Sequence, residues 1–301
     1  MAMAKLLNIA HRGGARLWPE NTLYAFAQAA RAGCDGAEFD VQLSQDGRLV
    51  VFHDYRLKPE LCRSSDGRWL KGRQKPIRDL TASELRAFDV GRIKPRTLYA
   101  RTHRVLHPRD GERIPLLSEV IATVRSLRKN FRLFIEIKTC PEDRGLSAAP
   151  ETVAEAVVGE LRAKRYIEDA VLVGFDWRAL IHAKKLEPVL ACWFTTKRRA
   201  PRSDKTWTAG FHHSKFGGSI AKSIVGAGGQ GWLCSRAQAT RANIEEAHRL
   251  GLAFGVWTVN DSRAMRRFAG LDADAIVTDR PDRLAGQISG AYMPSNKAVE
   301  R

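Results

Sequence analysis

Cysteine is scarce in this 301-residue sequence, and no two cysteines stand in a Cys-x-x-Cys spacing. The cysteines are Cys34, Cys62, Cys140, Cys192 and Cys234. Their odd number and wide scatter argue against a disulfide framework and against a zinc ribbon. A reducing compartment is the simplest environment for such a chain, so we expect a cytoplasmic protein.

Long hydrophobic runs are also missing, since none approaches the roughly 18 apolar residues that span a bilayer. The first residues, MAMAKLLNIAHRGG, contain only a short apolar stretch, unlike a secretory leader. We therefore expect a soluble protein without a signal peptide. Its 44% hydrophobic content is sufficient for one large core, and single α/β barrels commonly reach about 250 residues.

Acidic residues are few relative to basic ones, which gives a formal net charge of +17. Residues 55–109 alone hold 15 Lys and Arg against five acids. Such an excess favours contact with polyanions, which include nucleic acids, anionic lipid surfaces and phosphorylated small molecules. Aromatic residues make up only 8% of the chain, and no zinc or base-stacking motif accompanies the charge. We therefore expect no specific recognition of nucleic acid.

Short apolar, β-branched runs alternate with helical periodicity along most of the chain, which is typical of repeated β-α units around a parallel sheet. The predicted strands are residues 7–10, 37–40, 133–138, 171–175, 189–194, 231–234, 253–259 and 275–278. The predicted helices are residues 21–32, 117–129, 151–165, 177–186, 216–225, 241–250 and 262–269, with a last one after Pro281. Eight such pairs predict a (β/α)8 TIM barrel.

A hairpin interrupts the regular order after the second strand. The pair Asp46-Gly47 lies between two β-rich runs and predicts a tight turn in place of a crossover helix. If the turn centres on Gln45 and Asp46, the antiparallel register sets His53 opposite Glu38. The hairpin would then return His53 to the same end of the barrel as Glu38.

A long basic segment, residues 54–115, follows the hairpin and carries Pro and Gly punctuation. It is too long for an ordinary loop and predicts a small subdomain inserted after the second strand. We therefore expect residues 1–289 to form one barrel that includes this insertion. Residues 290–301 read as a polar tail.

Polar side chains stand at the ends of the first predicted strands, where barrels of this kind place their catalytic residues. His11 and Arg12 end the first strand. Glu38 and Asp40 end the second, and their i, i+2 spacing places both carboxylates on one face. Together with His53, these residues predict a reaction centre at the barrel mouth.

Glu136 and Lys138 end the third predicted strand, again at i, i+2. Three carboxylates at one mouth repel each other unless a cation shares them, and an all-oxygen site suits Mg²⁺ or Ca²⁺. Two imidazoles beside such a site can act as general base and general acid near neutral pH, which fits displacement at phosphorus. Arg12 and Lys138 would offset the charge on a phosphate.

At these residues the sequence resembles the glycerophosphodiester phosphodiesterase family. The matching segments are HRGGARLWPENT, EFDVQLSQDG, VVFHD and FIEIK, followed downstream by FDWRAL, WTVND and VTDRPD. The resemblance runs from about residue 9 to residue 284. It implies a barrel with a small insertion that hydrolyses glycerophosphodiesters to glycerol 3-phosphate and an alcohol. Our hypothesis for the nucleophile is either water or the neighbouring glycerol hydroxyl.

The resemblance also implies a role for each residue of the site. It implies catalysis by His11 and His53, and metal binding by Glu38, Asp40 and Glu136. It also implies phosphate contacts from Arg12 and Lys138, and a substrate pocket lined by Trp257 and Phe175. The metal would be Mg²⁺ or Ca²⁺, and the partner a small glycerophosphodiester.

Two alternative functions remain open from the sequence. The first is a lysophospholipase D-like enzyme that acts on lysolipids, with the basic insertion in peripheral contact with anionic membranes. The second is a polyanion-binding module with a degenerate barrel, for which the net charge is the only argument.

Overall fold

One sheet of nine strands organises the computed structural model, which describes residues 5–197 and 204–290. Within that part of the chain the strands are β1 (Leu7–His11), β2 (Gly36–Leu43), β3 (Leu49–Val51), β4 (Arg132–Ile137), β5 (Ala170–Gly174), β6 (Ala191–Thr196), β7 (Gly231–Ser235), β8 (Ala253–Trp257) and β9 (Ala275–Thr278). Eight of them are parallel and run in the order β1-β9-β8-β7-β6-β5-β4-β2. Pairing of β1 with β2 closes the ring, and β3 adds antiparallel to β2.

Helices connect the successive parallel strands, so the predicted (β/α)8 barrel is confirmed. Those around the barrel are α1 (Leu23–Arg31), α4 (Leu117–Leu127), α5 (Pro150–Ala163), α6 (Trp177–Leu186), α7 (Asp204–Trp207), α8 (Ile220–Gly226), α9 (Arg241–Arg249), α10 (Ser262–Ala269) and α11 (Pro281–Gly290). Two short helices lie between β3 and α4, namely α2 (Ala82–Arg86) and α3 (Leu98–Thr102). Among the described residues, no helix has both the length and the apolar character required to cross a membrane.

The two faces of the barrel strands carry different side chains because successive residues in a strand point to opposite sides. Outward residues of β2 and β4, such as Phe39 and Ile135, belong to the large hydrophobic cluster that includes the surrounding helices. Inward residues form a second cluster in the barrel interior, including Ile9, Phe134 and Val277. The interior is therefore packed by apolar side chains in the middle of the strands, and polar inward residues follow them toward the C-terminal ends.

Some predicted strand bounds differ from the observed ones. The prediction for the fifth barrel strand is residues 189–194, but the observed strand, β6, covers Ala191–Thr196. Val189 is 77% exposed, and a turn in which the Leu190 amide donates to the Glu187 carbonyl precedes the strand. The prediction included Val189 only because this residue is apolar, whereas the strand begins after the turn.

The predicted hairpin after β2 is present, but its register differs by one residue. Val41 pairs with Val51, so the ladder points His53 toward Phe39 and not toward Glu38. The cause is the loop, in which the Ser44 amide bonds to the Arg48 carbonyl and three residues intervene. Gly47 occupies the left-handed region at φ 70°, which is typical of a three-residue hairpin loop.

The segment between β3 and α4 packs around a hydrophobic cluster of its own. This cluster includes Val50 from β3, Cys62, Ile77, Leu85 from α2, and Ile114. The segment thus has an apolar interior beside the barrel, as a small subdomain would. The proposed limits of the insertion at residues 54–115 stay a prediction, and nearly all of the predicted tail lies outside the described residues.

Leu85→Ala should lower the free energy of unfolding by about 2–5 kcal/mol, because Leu85 is fully buried in this cluster. The matched control is Leu98→Ala on α3, where the leucine is 75% exposed and the expected change is within about 0.5 kcal/mol. Urea unfolding followed by circular dichroism measures both. Equal unfolding midpoints for the two variants would show that the cluster contributes nothing to stability.

Candidate functional site

Side chains from three neighbouring strands meet at one end of the barrel. The parallel pairing of β1 with β2 aligns His11 with Glu38, and the pairing of β2 with β4 aligns Asp40 with Glu136. All four point inward, beyond the apolar interior cluster. The barrel register therefore brings together residues that lie more than a hundred positions apart in the chain.

The three carboxylates predicted as metal ligands form one compact cluster. Each of Glu38, Asp40 and Glu136 offers an oxygen within 4.8 Å of the others, and all three residues are buried. The Glu38 Oε2 atom is buried and lacks a hydrogen-bond partner among the described residues. Burial, followed by the charge of Asp40, raises the pKa of Glu38 to about 8. When ionised, Glu38 therefore lacks the hydrogen bonds that a buried carboxylate requires.

Two cationic side chains offset the rest of this negative charge. Lys138, directly after β4, places Nζ 2.6 Å from Glu136 Oε1 and 3.1 Å from Asp40 Oδ1. Arg12 places Nε 3.4 Å from Asp40 Oδ2. Burial alone would raise the pKa of Asp40, but the charges of Lys138, His53 and Arg12 hold it well below its usual range.

His11 is oriented by a residue to which the sequence analysis gave no role. Its Nδ1 lies 2.5 Å from Asp279 Oδ1, and its Nε2 lies 3.7 Å from Glu38 Oε2. Asp279 in turn accepts a hydrogen bond from Asn260 Nδ2 at 2.7 Å. Burial opposes ionisation of His11, yet Asp279 outweighs it and raises the pKa of the imidazole above its usual value. The position of Asp279 directly after the last barrel strand was the signal that could have identified it.

His53 reaches the cavity although it is not opposite Glu38. The last backbone bond to β2 is donated by the Phe52 amide to the Asp40 carbonyl at 3.0 Å. Beyond it, Gln42 Nε2 donates to the carbonyls of Phe52 and Asp54 at 2.8 and 3.0 Å. These two bonds hold His53 at the rim of the cavity, with Nδ1 3.1 Å from Asp54 Oδ1. Gln42 could have been found from the sequence, because it continues the i, i+2 row of Glu38 and Asp40.

A cavity of about 550 Å³ opens above the carboxylate cluster. Phe175 and Trp257, the two aromatics expected in the pocket, line it and pack edge to face with ring centroids 5.4 Å apart. Trp257 Nε1 is buried and has no partner among the described residues. Trp207 and Phe211, which precede α8, line the same cavity and were missed in the sequence analysis. The cavity thus combines a charged floor with an aromatic wall.

The residues present fit a hard divalent cation. Three carboxylates lie close enough to share one ion, and no side chain of the described residues donates a hydrogen bond to the buried Oε2 of Glu38. An all-oxygen donor set is the one that Mg²⁺ and Ca²⁺ prefer. The carboxylate cluster is therefore suited to a divalent metal.

Glu38→Gln should abolish most of the thermal stabilisation that Mg²⁺ or Ca²⁺ gives the wild type, because the cluster loses a ligand charge. In chelator the variant should be at least as stable as the wild type. The unfolded carboxyl loses its proton near pH 4.5 but the folded one only near 8, so ionised Glu38 destabilises the wild-type fold as pH rises between these values. Melting temperatures at pH 5 and pH 8, with metal and with chelator, measure both effects.

The matched control is Glu245→Gln on α9, which neutralises a carboxylate that is 54% exposed. This variant should retain the metal response of the wild type. An undiminished metal response in Glu38→Gln would contradict a metal site at the cluster.

The chain is similar to known proteins over nearly its whole length. It matches the Glycerophosphoryl diester phosphodiesterase family over residues 11–283. A glycerophosphodiester phosphodiesterase of Bacillus altitudinis is 32% identical over 279 residues, with 91% of this chain and 94% of that protein covered. One of Caldanaerobacter subterraneus is 28% identical over 291 residues, with 93% and 96% covered.

Among solved structures, one from Silicibacter pomeroyi carries the same family's name and superposes with a TM-score of 0.84 at 30% identity, with 96% of this chain and 94% of that chain covered. Sequence and structure comparisons therefore agree, and this chain belongs to the glycerophosphoryl diester phosphodiesterase family.

Proposed function

We infer that this protein hydrolyses glycerophosphodiesters to glycerol 3-phosphate and an alcohol in a reaction that depends on a divalent metal. The observation that carries this inference is the convergence of a buried carboxylate cluster, two imidazoles and two cationic side chains on one cavity. Membership of the family supports the same activity.

We propose Glu38, Asp40 and Glu136 as the ligands of Mg²⁺ or Ca²⁺. When bound, the ion would act as a Lewis acid that offsets charge on the phosphate oxygens. The choice of these two ions rests on the all-oxygen donor set.

Arg12 and Lys138 are the proposed phosphate contacts. Both lie next to the cluster, with side chains that are 15% and 11% exposed. A phosphate bound in the cavity would take over part of the contact that each now makes with the carboxylates. Arg12 is further held by Glu20, whose Oε1 accepts from Nη1 at 2.9 Å. A fixed guanidinium and a fixed ammonium orient the diester and stabilise the charge that develops on its oxygens.

His11 and His53 are the proposed acid-base pair. With Nδ1 of His11 directed at Asp279, its Nε2 is the atom that exchanges a proton in the cavity. One histidine takes the proton of the nucleophile, which is water or the neighbouring glycerol hydroxyl, and the other protonates the leaving oxygen. Asp279 is a positioning residue in this scheme, since it fixes the orientation of the His11 ring.

Trp257 and Phe175 are proposed to contact the glycerol side of the substrate. The unpartnered Trp257 Nε1 can donate to a substrate hydroxyl, and the Phe175 ring offers an apolar surface beside it. A cytoplasmic location is proposed on the five free cysteines of the chain.

The activity is tested with a panel of glycerophosphodiesters, assayed with Mg²⁺, with Ca²⁺ and with chelator. Release of glycerol 3-phosphate that requires a divalent metal is the expected result. Lysolipids presented in vesicles form a second arm, which detects the lysophospholipase D-like alternative. Failure to release glycerol 3-phosphate from any diester would contradict the proposed function.

His11→Ala and His53→Ala should each reduce turnover by about 10² to 10⁴, because each removes one partner in proton transfer. The control is His182→Ala on α6, whose imidazole pairs with Glu155 at the surface. Steady-state kinetics at saturating metal compare the three variants. Near-normal turnover in either active-site variant would rule out the acid-base pair.

Asp279→Asn should lower turnover by roughly 10- to 100-fold, the usual scale for outer partners that orient a catalytic imidazole. It should also lower the pKa of His11, because Asp279 is the group that raises it. A ¹⁵N NMR titration of the His11 ring reports both the pKa and the tautomer. A merely structural role would leave the tautomer and the pKa of His11 unchanged.

A further inference from the structure

The inserted segment contains a stretch, residues 92–109, which we call the basic arm. It has six Lys and Arg and no Asp or Glu. The bases at its two ends are paired, Arg92 with Asp110 at 2.8 Å and Arg109 with Glu112 at 3.2 Å. The remaining four have no acidic partner among the described residues, and they are Lys94, Arg96, Arg101 and Arg104.

Exposed apolar side chains lie among these unpaired cations. Leu98 is 75% exposed and Val105 is 49% exposed, and few large hydrophobic residues in the described part of the chain are so accessible. Arg96 and Arg104, which flank them, are exposed as well. A partner that binds cations and aliphatic side chains together must offer both anionic groups and an apolar region.

The arm is firmly attached, so the exposure of Leu98 is not that of a loose loop. Tyr99, the next residue, donates a hydrogen bond to Glu20 and lies under the Lys58 ammonium at 4.4 Å. The His103 ring stacks on Tyr99 at 4.0 Å. The His107 amide donates to the Leu17 carbonyl at 2.7 Å. Tyr99 thus anchors α3 to the barrel while Leu98 remains in solvent.

We propose that the basic arm docks on the surface of an anionic lipid membrane. The unpaired cations contact lipid phosphates and carboxylates, and Leu98 and Val105 enter the interface between headgroups and acyl chains. A nucleic acid would satisfy the cations but offers aliphatic side chains no apolar environment, and the arm's tyrosine is already engaged. The lipid surface satisfies both requirements at once.

The test is sedimentation of the full chain with vesicles, without substrate, so its outcome is independent of the proposed hydrolysis. Wild type should bind vesicles of phosphatidylcholine with phosphatidylserine, bind phosphatidylcholine alone weakly, and lose affinity as salt rises. The combined variant Arg96→Glu, Arg101→Glu, Arg104→Glu should weaken binding by roughly 10²-fold or more. Leu98→Ser with Val105→Ser should weaken it by about tenfold while all charges are retained.

Matched controls separate the arm from the net charge of the chain. Arg263→Glu, Arg266→Glu, Arg267→Glu makes the same charge change on the exposed side of α10, and Val189→Ser removes a valine that is 77% exposed elsewhere. Both should bind as the wild type does. The proposal is overturned if the α10 variant loses as much affinity as the arm variant. It is also overturned if the Leu98 and Val105 change has no effect, or if duplex DNA binds more tightly than anionic vesicles.

Discussion

Electrostatic repulsion among three buried carboxylates is the constraint on which the rest of this site depends. Lys138 bridges two of them and Arg12 lies beside Asp40, but within residues 5–197 and 204–290 no cation is in hydrogen-bonding contact with Glu38. Ionised side chains that cannot be solvated must be compensated locally. The same uncompensated charge destabilises the folded chain and suits the cluster to a divalent cation, and Arg12 and Lys138, the proposed phosphate contacts, lie beside it.

The barrel keeps these charges at fixed positions because neighbouring parallel strands share one register. His11 lies beside Glu38, and Asp40 beside Glu136, on strands whose other inward residues are packed and apolar. A shift of one residue in any of these strands would turn the polar side chains toward the helices and expose apolar ones to the cavity. The hydrophobic interior therefore stabilises the register, and the register aligns the site.

The inserted segment contributes to the site as well as to the surface. Tyr99 of α3 donates to Glu20, and Glu20 accepts from Arg12, so a continuous set of contacts leads from the insertion to the proposed phosphate contact. On the hairpin side, Asp54 lies between His53 and Lys58. The segment between β3 and α4 is thus connected to Arg12 through Tyr99 and Glu20, and to His53 through Asp54. Tyr99 belongs to the basic arm, so the arm is linked to Arg12 through Glu20 alone.

The sequence by itself determined the barrel, its eight parallel strands, and the polar residues that end its first three strands, because strand periodicity and polar residues at strand ends are local patterns. It did not determine the hairpin register, since the choice between a two- and a three-residue loop depends on how Gly47 and Ser44 close the turn. Nor did it assign roles to Asp279 or Gln42, whose function comes from the atoms they contact across the barrel. Only the tertiary structure decides such pairings, because a hydrogen bond between distant residues depends on closure of the whole barrel and leaves no periodic trace in the chain.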